Sequence, residues 1–521
     1  MLLISLAAVA AVVLPLFLSF GITDLDIIAE TLSNRSFSRI AMFTVKQALI
    51  STILAMIVGL PAAIYFARSR GVVSRLLGIT TYIPFFFPGI SMAIGFLSVY
   101  GRNGLLNDIL SMLGLQRVQI LYTFGAILLG HVFYNAPIVV LILGNALRKI
   151  PLELIENSKI DGAGRMRILF NVELPLVTPA LVNSALLIFS YCFTSFAVVL
   201  ILGGAQFATL EVSIYMYFRL LGRPQAATVL ALVQFLFIVL FGVFILLTER
   251  KVQFEYGDQF IEKRAVIRGY SVLFLMFEWL PIIGAFATSV YDWNRGELIF
   301  SRISTLFSGR IASIGTTLAN TLFNSLFLSF LAGGITSSIS FALALKARTI
   351  PGGAKHLKVI SLIALSVTPS MLAISYLSVL DFIPVPFLMV MLYTVLSLPI
   401  ALNYINGQVQ SVELNFIEAA SLDGATRFSR FRYIIFPLFR GSLLYAATIV
   451  FAISMGEFGG SLILGAQDFP TFTVAIYRLN SSRHFLEARF LSTVLGLIVV
   501  TMVSISQRFV ESSEKRIHSS S

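Results

Sequence analysis

The sequence is poor in the residues that build disulfides, metal centres and nucleotide-binding loops. Its single cysteine, Cys192, excludes an intrachain disulfide and a cysteine-based metal site. The four histidines are scattered, and none joins cysteines or carboxylates at metal-ligand spacing. No G-x-x-x-x-G-K-[ST] loop occurs, so the chain lacks the usual cradle for ATP phosphates. We therefore expect no cofactor on this chain and no catalytic activity.

Charged residues are also scarce. They make up 12% of the chain and hydrophobic residues 57%, against about 25% and about 45–50% in soluble domains. Many apolar runs approach the length that crosses a bilayer. The net charge of +12 could suggest nucleic acid, but in a membrane protein an excess of Lys and Arg marks the cytoplasmic loops. We therefore expect a lipid bilayer as the surroundings and no nucleic-acid partner.

A polar, basic segment between apolar runs occurs twice. Glu156–Pro175 reads ENSKIDGAGRMRILFNVELP, and Glu418–Pro437 reads EAASLDGATRFSRFRYIIFP, 262 positions later. A constant offset over twenty positions indicates an internal duplication. The shared positions are Glu156 and Glu418, Asp161 and Asp423, Gly162 and Gly424, Ala163 and Ala425, and Pro175 and Pro437.

These two segments resemble the cytoplasmic EAA loop of ABC importer permeases, and we call them the first and second coupling loops. The second keeps the Glu-Ala-Ala triplet, whereas the first has Glu156-Asn157-Ser158. In that family the loop forms a short helix that docks on the ATPase subunit. The resemblance implies two copies of an ATPase subunit, which binds the ATP. It assigns coupling to Glu156, Asp161, Gly162, Ala163, Glu418, Ala419, Ala420, Asp423, Gly424 and Ala425.

The residue types in the loops suit a docking element. Glycine permits a turn or a close backbone approach, and a carboxylate near a helix start meets the helix dipole or a partner's cation. A short helix in a partner's groove is a common recognition mode. The alternative is a solvated basic connector with coincidental Asp-Gly turns, which two copies in register disfavour.

The apolar runs predict an all-α integral membrane protein with about twelve crossings, six in each of two tandem halves. An even number per half gives both halves the same orientation, as in a parallel repeat, and the resemblance implies the type I importer permease fold. The predicted divisions are a first half over 1–248, a linker over 249–269, a second half over 270–506 and a tail over 507–521. The predicted crossings are Leu2–Phe20, Thr44–Phe66, Leu76–Tyr100, Gln119–Leu147, Pro179–Leu202, Ala226–Leu247, Tyr270–Val290, Leu318–Leu345, Val359–Leu380, Val385–Asn406, Ser442–Leu464 and Phe490–Ser506.

Charge sets the expected orientation. With the N-terminus inside, the cytoplasmic loops and the tail hold about 24 of the 37 Lys and Arg residues. Both coupling loops and both termini are then cytoplasmic, in the cell inner membrane. No Lys or Arg precedes Leu2–Phe20, so we interpret this run as a retained helix rather than a signal peptide. An insertion confined to the first half, Arg102–Val118, is predicted to be a short surface helix.

A second repeat lies downstream of each coupling loop. Phe193–Tyr215 reads FTSFAVVLILGGAQFATLEVSIY, and Met455–Tyr477 reads MGEFGGSLILGAQDFPTFTVAIY, again at an offset of 262. Together these segments resemble the fused two-domain permeases of the thiamine and ferric-iron group. The first is most similar to the thiamine and thiamine pyrophosphate permeases. The ferric-iron permeases carry a Glu-Leu-Pro string where this chain has Glu457-Phe458-Gly459. The resemblance implies a thiamine-type substrate, with ferric iron as the alternative, and a periplasmic binding protein as a partner.

The same two segments, which we call the first and second gate segments, hold the candidate residues for the substrate path. Glu457 is a carboxylate well inside an apolar run, where an ionisable residue is costly and is by default a functional candidate. Its repeat partner is Ser195. Gly203 and Gly465 directly follow the predicted crossings that end at Leu202 and Leu464, and they allow close packing. The alternative for Glu457 is a carboxylate paired with a helix-end amide. We expect Glu278 to lie near a helix end with no transport role.

Two other classes of function remain. A secondary transporter driven by an ion gradient would use acids within the membrane as coupling sites, but Glu457 alone qualifies and the coupling loops would be unexplained. An intramembrane enzyme is disfavoured because no catalytic cluster is found. Association with an ATPase subunit distinguishes an importer permease from both.

Overall fold

The structure is a computed structural model. It describes residues 14–82, 87–248, 265–292, 297–298, 309–311, 314–411, 420, 423–465 and 469–519. Within these residues the chain is helical apart from loops and two short antiparallel strand pairs. The strands are β1 (Tyr291–Asp292) with β2 (Glu297–Leu298), and β3 (Arg310–Ile311) with β4 (Thr316–Thr317).

The first half begins with a helix over residues 14–21; residues 2–13 of the predicted first crossing lie outside the described part. Long helices alternate with short ones along the chain. The helices are α1 (Leu25–Ser33), α2 (Arg35–Arg68), α3 (Val72–Thr80), α4 (Gly89–Tyr100), α5 (Leu105–Met112), α6 (Phe124–Arg148), α7 (Leu152–Ile160), α8 (Arg165–Ile168), α9 (Thr178–Phe193), α10 (Leu210–Tyr215) and α11 (Pro224–Thr248).

The second half follows the same plan. Residues 249–264 of the predicted linker lie outside the described part, and its last five residues already belong to a helix. The helices are α12 (Ala265–Val290), α13 (Leu318–Arg348), α14 (Gly353–Leu365), α15 (Pro369–Val379), α16 (Val385–Ser411), α17 (Arg427–Arg430), α18 (Phe436–Gly456), α19 (Gly459–Leu464), α20 (Phe472–Ser481) and α21 (Phe485–Ser519).

Both halves contain helices that are long enough to span a membrane. Among the described residues, eight helical segments are long and apolar enough to cross a bilayer, and ten if each of two bent helix pairs counts as one crossing. The bent pairs are Arg165–Leu176 with Thr178–Phe193, at 71°, and Gly353–Leu365 with Pro369–Val379, at 84°. An all-helical membrane protein is therefore confirmed.

Four predicted crossings are not continuous helices. In the third and ninth, a helix ends at Thr80 or Leu365 and a new one begins close to Pro88 or Pro369. A proline has no N–H and disfavours helix in the residue before it, so it is better placed at a helix start than inside. The fifth and eleventh break after Phe193 and Gly456, at equivalent positions of the two gate segments.

The expectation for Glu278 was wrong in position. It lies in the middle of α12, is fully buried, and neither carboxylate oxygen has a hydrogen-bond partner. The neighbouring Trp279 donates from Nε1 to Thr80 Oγ1 at 3.0 Å. Helix α12 begins five residues before the predicted crossing Tyr270–Val290, so Glu278 lies farther from the helix start than the sequence indicated.

Helices of each half pack against helices of the other half. The first helix of the second half, α12, packs against α2, α3 and α4, and the last helix, α21, also packs against α4. Conversely, α10 and α11 of the first half pack against α15 of the second. Small residues permit this contact: a Cβ on Gly95 in α4 would stand 2.8 Å from the Pro281 carbonyl oxygen of α12. The two halves therefore share one core.

Candidate coupling loops and gate

The first coupling loop is a short helix followed by a tight left-handed turn. Helix α7 ends at Ile160, and Gly162 has φ +79°. The Ala163 amide donates to the Ser158 carbonyl oxygen at 3.0 Å, the six-to-one bond of a Schellman turn. Glu156 and Asp161 are exposed on this helix and its cap. The predicted turn at Gly162 is confirmed, because a side chain is rarely tolerated at this φ.

The second coupling loop makes the same turn where it is described. Gly424 has φ +78°, and the Ala425 amide donates to the Ala420 carbonyl oxygen at 3.0 Å. Ala420 is helical and Asp423 is exposed, whereas Glu418 and Ala419 lie outside the described residues. The duplicated Asp-Gly-Ala sequence therefore encodes a duplicated backbone geometry.

Both turns face open space. No atom lies within 4 Å of the position that a Cβ would take on Gly162 or Gly424. The next helical turn presents an exposed apolar side chain in each copy, Met166 at 66% and Phe428 at 72% exposure, which are equivalent positions. The same position is therefore apolar and exposed in both copies, directly after the turn.

The first coupling loop is tied to the membrane-spanning helices by a buried ion pair. Arg68, in the last turn of α2, bonds through its guanidinium to the Glu173 carboxylate, and both side chains are only 3% exposed. Ile155 and Ile168 anchor the same loop in the core. The loop is therefore held to α2 by a buried side-chain contact.

The gate segments begin where α9 and α18 break. In the second half, α18 ends at Gly456, Glu457 is extended, and α19 begins at Gly459. The buried Glu457 carboxylate accepts from the amides of Gly460 and Ser461, both at 2.9 Å, and from Ser461 Oγ at 2.6 Å. It therefore caps α19. This geometry matches the alternative of a carboxylate paired with helix-end amides. Ser195 is half-buried at the equivalent break.

Aromatic residues of the two gate segments meet each other. The rings of Phe196 and Phe458, which are equivalent at the offset of 262, have centroids 5.4 Å apart. Phe196 also packs on Tyr215 at 5.7 Å, and Phe458 on Tyr477 at 5.2 Å, again equivalent pairs. The Tyr215 and Tyr477 side chains interact as well. We call these four side chains the aromatic gate cluster. The sequence shows that these phenylalanines and tyrosines repeat at the offset of 262, but it does not show that they touch each other.

Gly203 and Gly465 serve packing. A Cβ on Gly203 would stand 2.6 Å from Ile127 Cδ1 in α6, and one on Gly465 would stand 2.1 Å from Met389 Cε in α16. Ile127 and Met389 are also equivalent at the offset of 262. Each glycine thus lets its gate segment lie directly on a long helix of its own half.

The helix that ends each gate segment, α10 or α20, is held to a long helix by one hydroxyl group. The Leu210 amide at the start of α10 donates to Thr44 Oγ1 of α2 at 2.9 Å, and the Phe472 amide at the start of α20 donates to Ser325 Oγ of α13 at 2.8 Å. These are N-terminal helix amides without an intrahelical acceptor. The same local solution therefore appears in both halves.

One functional candidate escaped the sequence analysis. Glu211, in the first turn of α10, is fully buried, and its equivalent in the second half is Thr473. Its carboxylate accepts from Gln234 Nε2 at 2.7 Å and from the Ser370 amide at 3.1 Å. Ser370 belongs to the other half. The sequence around Glu211 does not indicate that its carboxylate contacts Ser370, which lies 159 positions away.

No group of three or more His, Cys, Asp or Glu residues in the described part could hold a metal ion. The buried thiol of Cys192 accepts from Asn135 Nδ2 at 3.4 Å. His131 is buried in α6 with Nδ1 at 2.9 Å from Ser51 Oγ. Asn324 in α13 donates to the Pro470 carbonyl oxygen, in the loop before α20, at 3.2 Å. The contacts of Ser51 with His131 and of Asn135 with Cys192 thus join neighbouring helices.

Comparison with known proteins places both halves in one family. The family model described as "Binding-protein-dependent transport system inner membrane component" matches residues 51–254 and again residues 271–519. The thiamine transport system permease protein ThiP of Brucella abortus is 26% identical over 499 residues, covering 92% of this chain and 88% of the relative. The protein of the same name from Haemophilus influenzae is 24% identical, covering 84% and 82%. The molybdenum transport system permease protein ModB of Azotobacter vinelandii is 29% identical over 205 residues, which are 39% of this chain and 90% of that protein.

Proposed function

Since this chain belongs to the family of inner membrane components of binding-protein-dependent transport systems, we propose that it is the fused permease subunit of an ATP-driven importer for thiamine or thiamine pyrophosphate. The observation that carries the proposal is the pair of coupling loops with one backbone geometry and one exposed apolar position each. Relatives named as thiamine permeases along nearly the whole chain support the substrate.

The two loops support a complex with two copies of an ATPase subunit, one on each loop. Each copy would contact the helix before Gly162 or Gly424 and the exposed side chain after it, Met166 or Phe428. ATP binding and hydrolysis would move the loops, and the ion pair of Arg68 with Glu173 would pass the movement to α2. A binding protein on the opposite face would deliver the solute.

The twelve-crossing arrangement and a pseudo-two-fold axis along the membrane normal are part of this proposal. Contacts between equivalent residues support the axis, because Phe196 can touch its own repeat partner Phe458 only where the two halves meet. Matched anchors at Thr44 and Ser325 support the same relation. Both termini and both coupling loops would lie in the cytoplasm.

The aromatic gate cluster would close the passage in this conformation. Phe196 and Phe458 fill the meeting point of the halves with apolar surface and exclude water. The breaks at Ser195 and Glu457 would let each gate segment turn without bending a long helix. A negative Glu457 beside the gate would suit the permanently positive thiazolium of thiamine once movement of α19 releases its carboxylate.

A double substitution tests coupling. In Gly162→Asp/Gly424→Asp, bulk and charge are added at the two turns that face open space, so ATPase association and ATP-dependent uptake should fall by about tenfold or more while membrane insertion stays normal. Gly114→Asp is the matched control, because Gly114 also has a positive φ (+73°) and no neighbour near its Cβ position. Unchanged association and uptake in the double variant would exclude the docking role.

A further inference from the structure

Glu211 connects the two halves through a helix end. Its Oε1 accepts from the backbone amide of Ser370, which lies in the first turn of α15, just after Pro369. The first amides of a helix have no acceptor within it and carry its positive dipole end. A carboxylate from the first half therefore caps a helix of the second half.

Several hydrogen-bond donors surround the buried Glu211 side chain. Glu211 has no solvent exposure, and Gln234 of α11 holds its other oxygen. The hydroxyls of Thr368 and Ser370 lie beside the same carboxylate. Burying a carboxylate is costly unless several donors compensate it, so this contact is stable only while α10 and α15 stay in this arrangement.

Both partners of the contact are mechanically connected to the gate. Glu211 lies one helical turn before Tyr215, a member of the aromatic gate cluster. The capped helix α15 packs against α19, which begins immediately after Phe458. Separation of Phe196 from Phe458 would therefore move α10 relative to α15 and break the bond.

The second half has no equivalent of this contact. Thr473 occupies the position of Glu211, and its hydroxyl donates to the Glu457 carbonyl oxygen of its own half at 2.9 Å. The carboxylate of the second half, Glu457, caps its own α19. Of Glu211, Thr473 and Glu457, only Glu211 forms a side-chain hydrogen bond to the other half.

We propose that Glu211 is a positioning residue that latches the two halves in the closed-gate conformation by capping α15. A contact present in one conformation and absent in the other shifts the equilibrium between them by its free energy. The inference rests on the proposed transport function, but its test measures opening of the gate on the full chain and needs neither ATP nor solute.

The test measures how fast a cysteine at the gate reacts. Ser195→Cys in a Cys192→Ser background is reconstituted in lipid nanodiscs and treated with a polar maleimide. Adding Glu211→Thr, the residue type of the second half, should accelerate labelling about tenfold, the effect expected when the buried Ser370 amide loses its acceptor. Glu211→Asp, which keeps the charge but is one methylene shorter, should accelerate it less and gives a second result if the Thr variant does not fold.

Two controls separate latching from general loosening. Glu211→Gln keeps an acceptor for the Ser370 amide, and Gln234 can turn to present its carbonyl oxygen, so labelling should stay within about threefold of the parent. Gln234→Leu removes the bond within the first half and leaves the bond between halves, so it should also stay near the parent rate.

Equal labelling in the parent and in folded Glu211→Thr and Glu211→Asp variants would overturn the latch. Labelling as fast in Glu211→Gln or Gln234→Leu as in Glu211→Thr would also overturn it, because any loosening would then open the gate. Solute uptake is measured separately on the parent chain in the assembled importer. Its absence together with the expected labelling pattern would reject the transport function and leave the latch standing.

Discussion

The buried ion pair between Arg68 and Glu173 makes a quantitative prediction about how the first coupling loop is held. Glu173→Gln removes the anion from a guanidinium that is 3% exposed. Removing one partner of a buried pair typically costs about 3–5 kcal/mol, because the remaining charge stays out of water. We expect a loss near 3 kcal/mol in the free energy of unfolding, since Arg68 has further contacts.

The measurement is reversible unfolding in mixed micelles, with Glu156→Gln as the control on the same loop. Glu156 is exposed, so its substitution should change the free energy of unfolding by less than about 0.5 kcal/mol. The double variant Arg68→Met/Glu173→Leu should recover most of the loss, because apolar residues of similar volume often replace a buried ion pair without cost. A Glu173→Gln variant as stable as the parent, or a double variant no better than the single one, would refute the anchoring argument.

Three further predictions concern the gate and the orientation. Phe458→Ala should open a leak for small solutes through the closed permease, measured as solute efflux from proteoliposomes without ATP; a tight membrane would contradict the proposed closure. Gly465→Ala should cost about 1–3 kcal/mol in thermal unfolding, because its Cβ would stand 2.1 Å from a Met389 methyl group; parent-like stability would contradict the close packing. Cysteines at Gly164 and Thr426, in a chain without its native thiol, should both be labelled from the cytoplasmic side only, and labelling from opposite faces would overturn the parallel arrangement.

The sequence was sufficient for features that are local and duplicated. The sequence predicted a turn or a close backbone approach at Gly162 and Gly424, and both glycines form turns at positive φ, which glycine favours. The apolar runs predicted most long helices, because composition and length decide which segments enter a bilayer. Duplication at a constant offset predicted that both halves use the same elements.

The sequence was insufficient where tertiary contacts decide the local structure. The run containing Glu457 was predicted as one crossing, whereas the helix breaks at this residue and its carboxylate caps the helix that follows. The run Leu76–Tyr100 was predicted as one crossing, whereas one helix ends at Thr80 and the next begins at Gly89. Glu211 and Glu278 looked alike as single acids, and only the fold separates a carboxylate with two partners from one with none.

The most direct test of the importer assignment is uptake by the reconstituted complex. The chain is assembled with its ATPase subunit in proteoliposomes, and radiolabelled thiamine is supplied with the cognate binding protein. We predict that thiamine uptake requires both ATP inside and the binding protein outside the vesicles. Thiamine pyrophosphate should compete with thiamine for this uptake. Uptake driven by an ion gradient without the ATPase subunit, or no competition by thiamine or its phosphates for the solute that the complex does carry, would contradict the account.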